Sequence, residues 1–482
     1  MLDSRPAKAI ALVTLCVAIL GVFSFFTYLR SFSTKGIDFE AFYCGAQAAR
    51  TGHDPYLFEP LHSCEHAVYF KSADDNLIVP DPLPGYAILA FTPLSAMPFG
   101  IAYALWSLFL AACIAATIPA LVRLTGCTPL VATLSVVLID AIVSLTIGQL
   151  VPVCVLFTTW GALCVRRERY WAACCCLALS MLQPQCGFVA LMSLAVFEAR
   201  SRVAVASALA ALATASVLFL GLAANVEYVR DVLPAHAAAE LYNIEQFALA
   251  PMLFELGARP QTALLIGTLS FFAMAVFGAC VAQRLAARYG DRAFLVVVPC
   301  AFVLLGGTYL HIQSLAFALP AALLMRRYRP TTDGRFDAML VMLCVPWQWL
   351  VLTMYMIPLA AVMSGILAWR LWERNIRALA IGIGSVAAAG LSMSLLFIYA
   401  YVPGPKHFSA TAASHDLAEN TWVLLERVYA STGAGFPTYC ARSLSIVALA
   451  YLIFVVAKEG RVGRIGERFS PKCESAELAS RP

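Results

Sequence analysis

The chain has 482 residues, of which 61% are hydrophobic and 13% charged, with a formal charge of +5 and a mean hydropathy of +0.80. A soluble domain carries roughly 25% charge, so polar groups cannot cover this surface. The composition excludes a soluble enzyme, a nucleic-acid-binding domain and a disordered scaffold, and points to a polytopic membrane protein.

In chain order, the first element is an apolar run from Ala9 to Leu29, flanked by Arg5, Lys8 and Arg30. No small-residue cleavage pattern follows it, so it reads as a retained first helix. Further apolar runs lie at about 101–122, 128–147, 150–165, 170–182, 185–197, 202–224, 261–283, 293–309, 311–325, 337–352, 354–370, 378–402 and 443–457. They predict an all-α bundle of roughly 11 to 14 spans. The runs at 170–197 are each too short for a crossing and have Pro184 between them, so they predict a broken or re-entrant pair. Residues 1–457 form one transmembrane domain, and 458–482 a polar, basic cytoplasmic tail.

With the N-terminus in the cytoplasm, alternation places 24 of the 33 lysines and arginines on the cytoplasmic side, as the positive-inside rule requires. Three long segments then face outward: about 30–100, 225–260 and 403–442. Their clustering on one face predicts a site there. Most of the 16 cysteines lie in apolar runs and read as small hydrophobes. Cys44 and Cys64 share the first outward loop and form a candidate disulfide if that loop meets an oxidising compartment.

The first outward loop reads Gly36-Ile-Asp38-Phe-Glu40-Ala-Phe42-Tyr43-Cys-Gly-Ala46, and continues to Gly52-His53-Asp54-Pro55-Tyr56. Asp38 and Glu40 open a helical pattern. A carboxylate at a helix N-terminus is stabilised by the dipole and stays ionised. That fits plain capping, and it equally fits a general base held at the membrane surface. Gly52 and Pro55 stop the helix.

The pattern D-x-x-x-(Y/F)-Y-x-x-A, followed by G-x-D-P-Y, resembles glycosyltransferase family 87 of the GT-C superfamily. Pro82-Leu-Pro84, Pro93-Leu94, Pro98 and Trp106 are similar to the family's proline-rich run. Gly148-Gln149 is similar to its G-Q segment, which opens a helix ending at Arg166-Arg167. Leu241-Tyr-Asn243-Ile-Glu245-Gln246 loosely resembles the family's N-Q-S segment. Thr308-Tyr309-Leu-His311-Ile-Gln313 resembles a late outward segment that often holds a histidine or an acid. One departure stands out: Leu182-Gln183-Pro184-Gln185 occupies the place of K-P-x-P, with neutral Gln183 for lysine.

The resemblance implies a GT-C-like fold and a bacterial inner-membrane enzyme with its site facing the periplasm or exterior. It implies transfer of a sugar, most plausibly mannose, from a polyprenyl-phosphate donor to a glycolipid or glycan acceptor. Asp38 is then the general base. His311, Gln149, Gln183, Tyr43 and Glu40 are donor- or acceptor-binding candidates, with Glu40 also readable as a solvated or structural acid. Arg50 and Arg230 are substitutes for the missing lysine. The reaction needs no metal or other cofactor, because cations on the protein can hold a leaving monophosphate.

A rival reading is a lipid or sugar transporter or flippase, supported by the helix count and by Asp140 inside an apolar span, where an acid is costly. A non-catalytic relative is a third, resting on Gln183. Trp347-Gln348-Trp349 reads as an interfacial anchor. His236, His407 and His415 read as solvated.

Overall fold

The computed structural model describes residues 36–68, 78–243, 246–329, 334–373, 375–400, 418–431 and 436–461. The predicted helix at Ala9–Leu29, Glu245, His407, His415 and the tail beyond Arg461 lie outside the described residues. Among the described residues the chain is helical and holds no strand. Seven helices among the described residues are long and apolar enough to cross a membrane. Several of the predicted apolar runs fold as shorter helices: Val151–Arg166, Tyr170–Ser180, Pro184–Phe197 and Phe294–Val303.

Burial sorts these helices into an interior and a periphery. Every residue of Phe294–Val303 is buried, so this helix lies at the centre of the bundle. The helices within Ala199–Tyr242 and Pro260–Tyr289 are only 17% buried along their apolar stretches, against 67% for Pro129–Ile147. Val203, Leu218, Leu265 and Val276 on them face outward. Apolar faces of that extent are stable against lipid and not against water.

The helix ends form two groups. One end collects arginines and acids. Arg166 grips Asp291 at 2.6 and 3.0 Å, and the Tyr328 hydroxyl donates to the same carboxylate at 2.9 Å. Arg292 pairs with Glu168 at 2.7 Å and Glu198 at 3.3 Å. Arg326 pairs with Asp337 at 2.8 Å, and Arg288 with Glu459 at 3.0 Å. The basic loops that the charge pattern assigns to one face thus meet at one end. Asp38, Gln149, Gln183, Glu240 and His311 belong to the other.

Two hairpins reach toward that second end. Tyr170–Ser180 and Pro184–Phe197 have 11 and 14 residues, or ~17 and ~21 Å, short of the ~30 Å apolar core of a membrane. Their feet meet where Glu168 and Glu198 share Arg292. Gln183 at the tip touches Gln149. The turn is tight: a Cβ on Gly187 would stand 2.9 Å from the backbone at Ser180 and Met181. The second hairpin rises as Phe294–Val303 and returns as Ile312–Ala318 and Leu319–Tyr328, carrying His311 near its tip.

The first loop folds into helices Ile37–Arg50, Phe58–Val68 and Gly85–Ser95. A disulfide joins Cys44 to Cys64, so the candidate pair is a bond. In the G-x-D-P-Y segment, Asp54 accepts from the Tyr56 amide at 2.9 Å. Buried Tyr56 donates to the Leu83 carbonyl at 2.9 Å, and Tyr228 donates to the Pro82 carbonyl at 3.2 Å. The motif therefore plants a tyrosine on the proline-rich run. Beneath it, Asp81 accepts from the Leu83 amide at 2.9 Å, and Glu65 accepts from Val79 at 3.0 and 3.3 Å. Burial pushes both carboxyls well above the usual range.

The Trp347 segment differs from its sequence reading. Trp347 and Gln348 are 4% and 3% exposed, and the Trp347 indole donates to the Met342 carbonyl at 2.9 Å. With that partner inside, the ring is buried and does not anchor at an interface.

Candidate active site

Asp38 sits in the first turn of Ile37–Arg50, after Gly36 in the left-handed region (φ 77°). An aromatic cage fixes that turn. Phe39 packs against Trp106 at 6.0 Å, Phe99 at 5.7 Å, Tyr103 at 5.7 Å and Phe91 at 6.3 Å between ring centres. The Gly36 amide donates to the Thr146 carbonyl at 2.8 Å, and the Trp106 indole donates to the Gly148 carbonyl at 2.8 Å. Gly148 has φ 82°, and a Cβ there would stand 2.6 Å from the Phe39 Cβ. The G-Q segment thus needs its glycine twice, for conformation and for close approach.

The neighbouring glutamine reaches the acid. Gln149 Nε2 donates to Asp38 Oδ2 at 2.7 Å. Its oxygen accepts from the Leu150 amide at 2.8 Å and from Gln183 Nε2 at 3.3 Å. Because donors occupy the oxygen, the amide nitrogen faces the carboxylate. Asp38, Gln149 and Gln183, 145 positions apart at the extremes, therefore form one polar chain. Asp38 is partly exposed, so an incoming hydroxyl has access to it.

Glu40 and Tyr43 have other surroundings. Glu40 is 2% exposed, close enough to Glu65 to raise its pKa, and two positions on it faces away from Asp38. It is the structural acid of the two readings and is not solvated. The Tyr43 hydroxyl donates to the Met97 carbonyl at 2.8 Å, so it anchors the helix. Arg50 lies ~18 Å along the helix from Asp38 and donates to the Ser95 carbonyl at 3.3 Å. Arg230 pairs with Asp231 at 2.7 Å.

The sequence reading missed a second cluster, centred on Glu240. His236 Nε2 and His311 Nε2 stand 3.4 and 3.6 Å from Glu240 Oε1. Asn243 donates to Oε2 at 2.9 Å, as does Gln246. The Gln246 oxygen accepts from the Leu310 amide, which ties the 243–246 segment to the His311 turn. His236, read as solvated, is 6% exposed and lies between Tyr309 at 4.3 Å and Trp422 at 4.2 Å. Burial is possible because Glu240, one helical turn on, partners the ring. The signal was in the sequence: a His-x-x-x-Glu pair in an alanine run. Tyr309 also contacts Gln185, two positions past Gln183, which links the two clusters through one hairpin tip.

Asp140 falls in the π turn Val137–Ala141 and accepts from the Ser144 hydroxyl. It lines a small apolar cavity with Ile114, Thr117 and Ala316. Its carboxyl is partnered inside the helix, which accounts for an acid there without a transport pathway.

These features define a polytopic α-helical membrane protein with a partly exposed carboxylate at one end of the bundle, contacted by an amide distant in sequence. Residues 84–306 match the model of glycosyltransferase family 87, and this match supports membership of that family and a membrane glycosyltransferase. The matched stretch contains Gln149, Gln183 and Glu240. Asp38 and His311 flank it in sequence, and each contacts a residue within it. No curated protein matches the chain.

Proposed function

We propose that the chain transfers a sugar, most plausibly mannose, from a polyprenyl-phosphate donor to a glycolipid or glycan acceptor, with Asp38 as general base. The observation that carries this is the Asp38–Gln149 contact at 2.7 Å on a partly exposed acid. The neutral amide of Gln149 orients the carboxylate through Oδ2, and a carboxylate so oriented can take a hydroxyl proton. The acceptor oxygen attacks the anomeric carbon on the face opposite the phosphate. Its proton passes to Asp38, the glycosidic bond forms, and polyprenyl phosphate leaves. His311 binds the leaving phosphate, the role that lysine at position 183 would otherwise suit. Gln183 instead orients Gln149.

The site faces the exterior of a bacterial inner membrane on this reading. The arginine-rich end then lies in the cytoplasm, in keeping with the positive-inside rule. The Cys44–Cys64 bond fits an oxidising compartment at the other end. The test is to incubate the purified protein in lipid with radiolabelled polyprenyl-phosphate sugars and total lipid extract. Label moved from one donor to a lipid or glycan supports the proposal and names the sugar. Donor taken across vesicles with no new glycosidic bond overturns it in favour of transport.

A further inference from the structure

Glu240 is 3% exposed, and donors occupy both of its oxygens. Such donors favour the ionised form, and a buried charge needs a countercharge beside it. The charged and titratable groups around it come from four elements. Its own segment supplies His236, and the tip of the second hairpin supplies Tyr309 and His311. Arg442 of Phe436–Arg461 reaches the neighbouring Gln246 carbonyl at 3.1 Å, but its guanidinium is gripped by Glu255 at 2.8 Å. Glu426 of Ala418–Ser431 lies beside Tyr242. Among the described residues, the two histidines are therefore the cationic groups placed directly on Glu240.

The two rings are not equivalent. His236 is sealed between Tyr309 and Trp422. His311 is 28% exposed and can meet a ligand from outside. Gln246 contacts both His311 and Glu240, so acid and imidazole are held in one frame. We propose that Glu240 is a positioning residue that keeps His311 as an outward-facing imidazolium for the donor phosphate. This rests on the reading of His311 as the phosphate-binding residue. Glu240 touches neither donor nor acceptor. It acts by retaining a proton on a group that water alone would leave mostly neutral at pH 8.

The test measures donor KM and kcat with polyprenyl-phosphate mannose from pH 5.5 to 8.5, for wild type, Glu240→Gln, Glu240→Asp and His311→Ala. Glu240→Gln is expected to raise donor KM about tenfold at pH 8, with the gap closing near pH 6 as imidazole protonates unaided. Its kcat changes little. Glu240→Asp recovers part of the alkaline range, and remains informative if the Gln variant does not fold. A pH-independent loss in both Glu240 variants, with His311→Ala still raising donor KM, overturns the positioning role alone. An unchanged donor KM in His311→Ala overturns the phosphate reading, and the Glu240 role with it.

Discussion

Two carboxylates at the same end of the bundle are held in opposite ways. Asp38 is partly exposed, is oriented by the neutral amide of Gln149 and, on the proposed reading, has capacity to take a proton. Glu240 is buried beneath two imidazoles and two amides and has no such capacity. The difference teaches how one functional group serves two tasks. On the proposed reading, the environment leaves one acid available for proton transfer and commits the other to fixing charge. The means of support differ too. Asp38 is positioned from outside its helix, by an aromatic cage and a disulfide-linked loop. Glu240 is held by its own neighbours in sequence, plus the His311 turn.

The largest effect should come from Asp38→Asn, which keeps the shape and removes the base. Transfer should fall by about 10²–10⁴-fold, while donor binding, which the proposal assigns to the other cluster, stays intact. Full transfer by this variant would break the comparison at its first term. Next, replacing both Cys44 and Cys64 by serine opens a loop with a sequence separation of 20, at a cost of about 3 kcal/mol. Thermal melting should register that loss, and kcat should suffer more than donor KM. Equal effects on both parameters would mean that the loop supports the two acids alike.

Gly148→Ala forces a left-handed alanine against the Phe39 Cβ at 2.6 Å. It should destabilise by roughly 1–3 kcal/mol and lower kcat by moving Asp38. Unchanged melting and turnover would rule out the close approach. Gln149→Leu leaves Asp38 without its amide and should lower kcat about tenfold, the value of one lost charge-assisted hydrogen bond. An effect on donor KM alone would instead assign Gln149 to the donor.

The smallest effect concerns Asp81, a buried acid with no role in either cluster. Burial raises its folded pKa, so the folded state holds a proton that the unfolded state releases near pH 4. Its contribution to stability is full below that pH and declines as pH rises toward the folded pKa. Asp81→Asn should therefore melt higher than wild type at pH 8, with the difference vanishing near pH 4. A constant difference across that range would show that its proton is not retained on folding.

Much of the Asp38 half was legible in the sequence because its parts are local signals: an acid opening a helix, a Gly-Gln pair before an apolar run, and a Gln-Pro at a break. What joins them is long-range packing, which no spacing encodes. Glu240 was missed for that reason, although His236 stood one turn before it. Trp347 was misplaced because an indole near a helix end looks the same whether a lipid interface or an internal carbonyl receives it. Gln183 was a donor- or acceptor-binding candidate by sequence, and its contact with Gln149 is a matter of packing that the sequence does not show.

The central claim is that Asp38 is the base and that the Glu240 cluster is not. It is tested most directly by measuring transfer and donor binding on the same Asp38→Asn sample in lipid. The account predicts donor affinity equal to wild type and transfer reduced at least about 100-fold. Transfer at the wild-type rate, with binding unchanged, would contradict it.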